Sequence, residues 1–190
     1  MKLYLVRHTR VDVPSGICYG QTDVALADSF NTELEFVRSS LSEIRFDHVF
    51  CSPLSRCVRL GTALDYPLQL DERLKELNFG EWENQMWDEI SKSETGQKWF
   101  ADYLNENCPN GESYQEMLCR VERFIGDLPE TDGNTLIITH AGVIRGFRVL
   151  LKNWSLKKAF DKPIAYGEIT IIERGKICRS TANLPATYLK

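Results

Sequence analysis

A membrane-spanning helix is the first thing this sequence lacks: no stretch approaches the roughly 18 consecutive apolar residues that one requires. An export signal is lacking too. The apolar run Leu3 to Val6 is broken by Arg7 and His8 before a hydrophobic region of roughly 7–15 residues can form, so a cytoplasmic location is expected. Positive charge is in deficit, with 23 Lys and Arg against 27 Asp and Glu, a formal net charge of −4. Without a clustered positive field, neither nucleic acid nor a membrane surface is an expected partner. A small anion stays open, because a few arginines focused in a cleft outweigh the global sign. Histidine is scarce, at 3 residues, and no two of the 6 cysteines stand at C-x2-C spacing, so no metal site and no cofactor are expected. With no export signal, Cys18, Cys51, Cys57, Cys108, Cys119 and Cys178 read as reduced, small, buried apolar groups rather than disulfides. Low-complexity tracts, like-charge runs and internal repeats are also missing.

What remains is ordinary globular composition: 190 residues, 43% hydrophobic and 26% charged, enough for one domain with its own core. Leu3-Tyr4-Leu5-Val6 is a short β-prone run. Leu34, Val37, Leu41 and Ile44 recur at helical spacing. His48 to Cys51 predicts a second strand stopped by Ser52-Pro53, and Cys57, Leu60, Ala63 and Leu64 a second helix. The stretch from Glu83 to Asn107 is weakly periodic and rich in rings, among them Trp87, Trp99, Phe100 and Tyr103. Ser113 and Glu116 then form a capping box, followed by the stripe Tyr114, Met117, Leu118, Val121, Phe124, Ile125 and Leu128. Leu136-Ile137-Ile138 reads as a central parallel strand buried on both faces, with a helix from about Val143 to Leu151 after it. Ile164 to Glu173 and Lys176 to Ser180 suggest a hairpin turned at Arg174-Gly175. The alternation predicts an α/β fold, a three-layer α/β/α sandwich with a mostly parallel central sheet. The expected organisation is a single domain over 1–190, with 81–112 inserted as a small helical cap. Monomer and homodimer are both left open.

Two distant segments share a pattern. The strand Leu3 to Val6 runs into Arg7-His8-Thr9, and the strand Leu136 to Ile138 runs into Thr139-His140-Ala141-Gly142. Ligands of parallel α/β sheets bind beyond the carboxyl ends of the strands, where both histidines therefore fall. After His140, Ala141 and Gly142 open a helix whose free N–H groups suit an anion. Arg7 and Arg56 can reach the same edge and offer the fork that phosphate oxygens accept. Taken singly, either histidine reads as a satisfied core residue; the matched pair with arginines beside it points to a receptor for a tetrahedral dianion. His48, at the start of its strand, is on the wrong edge. Cys51 and Arg56 fall one residue short of the Cys–Arg spacing of thiolate phosphatases, and no His precedes Cys51.

The ordered segments Arg7-His8-Thr9, Ser52-Pro53-Leu54-Ser55-Arg56, Leu74-Lys75-Glu76-Leu77-Asn78-Phe79-Gly80 and Thr139-His140-Ala141-Gly142 resemble the motifs of the histidine phosphatase (phosphoglycerate-mutase-like) superfamily. The stretch Gly16-Ile17-Cys18-Tyr19-Gly20-Gln21-Thr22-Asp23 with Leu26-Ala27-Asp28 is similar to the bacterial α-ribazole phosphatases of cobalamin assembly. The resemblance implies a small phosphate ester as substrate and His8 as the nucleophile that becomes a phosphohistidine. It makes Arg7, Arg56 and His140 the phosphate clamp and Glu76 the general acid. Gln21, Thr22 and Ala141 are candidate substrate contacts. Glu72, Glu81 and Glu83 lie close to Glu76 in sequence, and Glu83 is the reserve for the acid. One departure stands out: Thr9 occupies the position after the nucleophile where the family usually has glycine. A mutase needs extra loops to keep water off the intermediate, so hydrolysis is the expected fate of the phosphoryl group. The rings of the cap suit either a flat leaving group or the packing of the cap itself. A broad sugar-phosphate or nucleotide phosphatase, a mutase-type transferase and a phosphate-binding regulatory module are the alternatives.

Overall fold

The computed structural model describes residues 1–130 and 132–173. Its centre is a five-stranded sheet made of β1 (Lys2–Arg7), β2 (His48–Cys51), β3 (Gln69–Leu70), β4 (Asn134–Thr139) and β5 (Ile169–Glu173), in the order β3-β2-β4-β1-β5. The pairs β2–β3, β2–β4 and β1–β4 are parallel, and β5 closes the β1 edge antiparallel. The continuous apolar run of β4 is explained by its place. It lies between β2 and β1, and Leu136, Ile137 and Ile138 are all fully buried.

Strand alternation sorts these side chains into two cores. Leu3, Leu5 and Ile137 face α5 (Tyr114–Asp127), α6 (Ala141–Lys152) and α7 (Leu156–Asp161). Tyr4, Val6, Val49, Cys51, Leu136 and Ile138 face α1 (Phe30–Leu41) and α2 (Ser55–Ala63). Helices thus cover both faces, which makes the three-layer α/β/α sandwich. α5 starts at the full capping box of Ser113 and Glu116, and its whole apolar stripe from Tyr114 to Ile125 is buried. α6 ends at Asn153, whose φ of 51° is the left-handed conformation that stops a helix.

Several expectations need correction. The first helix stops at Leu41, and Ile44 sits in the following turn, half-buried against the same core. The aromatic stretch, weakly periodic in sequence, forms two short helices, α3 (Trp87–Lys92) and α4 (Glu94–Ala101), in keeping with the helices expected there. α6 starts two residues before Val143, at Ala141. Ile164 to Glu168 is loop rather than strand, and β5 begins at Ile169; the other half of the expected hairpin lies outside the described residues. Cys119 is only half-buried, whereas Cys18, Cys51, Cys57 and Cys108 are buried free thiols; burial pushes the Cys51 thiol up to about 12. Cys178 lies outside the described residues. No described helix is long and apolar enough to cross a membrane.

Candidate active site

Register places the two histidines. β1 and β4 pair in parallel with Arg7 opposite Thr139, so the next residue of each chain, His8 and His140, must emerge side by side. The ladder continues one step further, with the His8 amide donating to the Thr139 carbonyl at 3.0 Å. The imidazole centroids are 5.1 Å apart at 60°, although 131 residues separate them in the chain. β2 adds a third strand end, since the Ser52 amide donates to Ile138 O at 2.9 Å. Ser52 Oγ then reaches His140 Nε2 at 2.8 Å.

The hydrogen bonds assign the ring nitrogens. His8 Nδ1 donates to the Thr9 carbonyl at 2.8 Å, which leaves the Nε2 lone pair for bond formation. Burial, then the charges of Arg56 and Arg7, holds His8 well below the ordinary 6.5. The same causes, burial and Arg56 first, lower His140. Both rings are therefore neutral near pH 7, as a nitrogen nucleophile requires. Nε2 of His140 is thus spent on Ser52, and its Nδ1 is buried with no partner.

Arg56 enters from the first turn of α2 and is fully buried. Its Nη1 donates to Thr22 O at 2.9 Å and its Nη2 to Gly20 O at 2.6 Å. Arg7, the last residue of β1, donates through Nη1 to Ile164 O at 2.5 Å. The Nε of each arginine is buried without a partner. Buried polar groups almost always find partners, so the unpartnered N–H groups of Arg7 and Arg56, with the unpartnered Nδ1 of His140 beside them, point to a receptor for an anion.

Glu76 arrives on the loop after the short 3-10 turn Glu72–Leu74. Its carboxylate accepts from the Leu77 amide and from the Gly142 amide, each at 3.1 Å. The second of these places it over the N-terminus of α6, next to His140. Gly142 is needed for this approach, because a Cβ there would lie 2.2 Å from Glu76 Oε1. Arg120 of α5, a residue sequence reasoning missed, holds the loop through the carbonyls of Arg73, Lys75 and Glu76 at 2.6–2.9 Å. It is fixed in turn by Glu112.

Glu83 does something different. It accepts from the amides of Gln21, Thr22 and Phe79 at 2.5–3.2 Å and from the Thr22 hydroxyl, so its oxygens are occupied in shaping the Gly20–Thr22 loop. Gln21 Nε2 donates to Glu76 O at 3.0 Å. Gln21 and Thr22 thus stand at the same edge as Arg56 and Glu76, but with these polar atoms already bonded within the chain. Ala141 opens α6 directly after His140. The Thr9 hydroxyl is buried without a partner. His48 begins β2, stacked on Phe50 and away from this edge. Trp82 and Trp99 are buried in the 81–112 segment, ring against ring with each other, and Trp99 also meets Phe79 and Trp87. Among the described residues no His, Cys, Asp or Glu cluster is arranged to hold a metal ion.

A neutral imidazole ringed by unpartnered cationic and imidazole donors can take up and release a phosphoryl group. That chemistry, on an α/β sheet read at its strand ends, defines a phosphoryl-transferring enzyme. The model of the histidine phosphatase superfamily (branch 1) matches residues 3–182, and the chain belongs to that superfamily; it is a phosphatase. It is 30% identical over 153 residues to the adenosylcobalamin/α-ribazole phosphatase of Salmonella typhimurium, covering 76% of each chain. Among solved structures, the α-ribazole phosphatase from Shigella flexneri superposes with a TM-score of 0.83 at 26% identity, over 91% of this chain and 90% of that one. A mycobacterial glucosyl-3-phosphoglycerate phosphatase, at 20% identity and a TM-score of 0.74 over 90% of this chain and 88% of that one, shares the fold.

Proposed function

We propose that this chain is a phosphomonoesterase that works through a phosphohistidine on His8, with α-ribazole 5′-phosphate as its substrate. The observation that carries the reading is the His8–His140 pair at 5.1 Å, with Nδ1 of His8 spent on Thr9 O and Nε2 left to react. In the first step the Nε2 lone pair forms a bond to phosphorus as the ester P–O bond breaks, and Glu76 hands a proton to the leaving alcohol. In the second step water attacks phosphorus, the P–N bond breaks, and Glu76 takes the proton back. Arg7, Arg56 and Nδ1 of His140 hold the equatorial oxygens throughout. Residues 81–112 form the cap beside this site, and the two α-ribazole phosphatases named above support a nucleoside leaving group. The two tryptophans buried within that segment argue for a second, broader reading, because their faces are not free to stack on a substrate ring.

Two measurements test this. His8→Ala is expected to abolish turnover of an aryl phosphate and the acid-labile phosphohistidine seen in a quench with radiolabelled ester; turnover near the original rate refutes the mechanism. A panel of phosphate esters should then show its highest kcat/KM with the benzimidazole nucleotide. A flat profile across sugar phosphates and nucleotides would establish the broad phosphatase, and phosphate binding without label would establish a binding module.

A further inference from the structure

Tyr19, within the stretch Gly16 to Asp23, and Tyr166, outside every motif, converge on the two arginines. Tyr166 lies in the loop before β5, and that loop is pinned to the end of β1. The Gly167 amide donates to Arg7 O at 3.2 Å and to His8 O at 3.3 Å, and the Arg7 amide donates to Glu168 O at 3.1 Å. Gly167 has a φ of +70°, which turns the chain so that Tyr166 faces the site. The Arg7 guanidinium rests 3.8 Å from the centroid of the Tyr166 ring, and the ring of His8 is 5.6 Å from it. Tyr19 comes from the opposite wall. Its backbone is held where Cys18 exchanges hydrogen bonds with Gln85 and Asn84 at 2.7–2.9 Å. The Arg56 guanidinium stands 5.6 Å from the centroid of the Tyr19 ring. The two hydroxyls meet at 2.6 Å, across 147 positions of sequence.

We infer that Tyr19 and Tyr166 act as one positioning unit for the phosphate clamp, each ring backing an arginine of the clamp, Tyr166 carrying Arg10 at 5.3 Å as well, and the hydroxyl pair tying the two walls together. The inference rests on the clamp reading of Arg7 and Arg56 given above. An arginine held by one carbonyl, as Arg7 is by Ile164, keeps rotational freedom that a bidentate grip on phosphate must remove. An electron-rich ring face at 3.8 Å removes it without placing a carboxylate beside the anion site. Burial pushes the Tyr19 phenol upward, and the bond to Tyr166 adds to this, so the phenol stays protonated at neutral pH. In this scheme both act through the arginines, and the Tyr166 ring in addition flanks the His8 imidazole.

The test compares variants that keep or lose the ring. Tyr166→Leu is expected to raise KM for p-nitrophenyl phosphate about thirtyfold and to weaken inhibition by orthovanadate by a similar factor, with a smaller change in kcat. Tyr166→Phe keeps the ring, loses the hydroxyl and is expected to stay within about threefold of wild type. Tyr19→Phe breaks the same bond, so the double Phe variant should be no worse than either single one. Phe as damaging as Leu at position 166, an unchanged KM and vanadate inhibition in the Leu variant, or additive effects of the two Phe changes would each overturn the unit. The Phe pair decides the matter if Tyr166→Leu does not fold. If wild-type protein neither turns over the aryl ester nor binds vanadate, the clamp reading itself falls, and the unit with it. If wild type does both, departures from the pattern count against the tyrosines alone.

Discussion

Replacing Gly142 by alanine separates Glu76, the proposed acid, from the other proposed site residues. An added Cβ would sit 2.2 Å from Glu76 Oε1 and 3.1 Å from its carboxyl carbon, and no atom outside Glu76 comes within 4 Å among its three nearest neighbours. The Glu76 side chain can swing away, so the fold has no reason to resist. Alanine also suits a helix interior better than glycine, by roughly 0.5–1 kcal/mol. The cost falls on the carboxylate, which must leave the Gly142 amide it accepts from at 3.1 Å. A hydrogen bond to a charged group is worth about 1.5–3 kcal/mol, and displacing a catalytic group by about 1 Å costs about a hundredfold. We expect kcat/KM, which reads only the steps up to release of the alcohol, to fall about tenfold to a hundredfold on an alkyl phosphate such as glycerol phosphate, whose alkoxide must be protonated to leave. On p-nitrophenyl phosphate, whose phenolate leaves unaided, the fall in kcat/KM should be under about threefold. Steady-state kinetics on both esters, with a thermal melt to confirm the fold, reads the difference. Equal losses of kcat/KM on the two substrates, or none on either, would refute the placement of Glu76 as the acid.

Three further outcomes follow from the same geometry. Ser52→Ala removes the group that pins His140 Nε2 at 2.8 Å, and kcat/KM should drop about tenfold with the melting temperature little changed; an unaltered kcat/KM removes Ser52 from the mechanism. His8 and His140 are lowered from 6.5 by burial and by Arg56. Below about pH 6.5 the unfolded chain therefore binds protons that the folded chain refuses. Their contribution to stability is intact above that pH and is lost as pH falls. Urea midpoints between about pH 5 and 7.5 should show a shallower decline for His8→Gln than for wild type, and identical slopes would contradict this. Ser113→Ala breaks the capping box of α5 and should cost about 1 kcal/mol in urea unfolding without touching kcat.

What could be read in advance had its cause close by in the chain. β1, β2 and β4 are short apolar runs ended by polar residues, and α5 carries its start signal in the capping box of Ser113 and Glu116. β3 left no signal because it is two exposed residues with no pattern to detect, and α7 is too short to show a period. The histidines were legible because strand ends in a parallel sheet share an edge. Thr22 was legible as a neighbour of the site, but its hydroxyl is turned to Glu83, an orientation set by a residue 61 positions away. Arg120 sits within the stripe region of α5 and gave no sign of its role, since its acceptors are backbone carbonyls of a loop more than forty residues earlier.

Local chemistry in the sequence determined which segments are buried strands and amphipathic helices, and that two imidazoles and two guanidiniums end at the same sheet edge. Only the tertiary structure decided which nitrogen of each ring is free and which carboxylate sits over the helix N-terminus. It also decided which arginine rests on which tyrosine. The reason is physical: tautomer, hydrogen-bond partner and ring contact depend on distances of about 3–6 Å between groups whose separation in the chain carries no information about them.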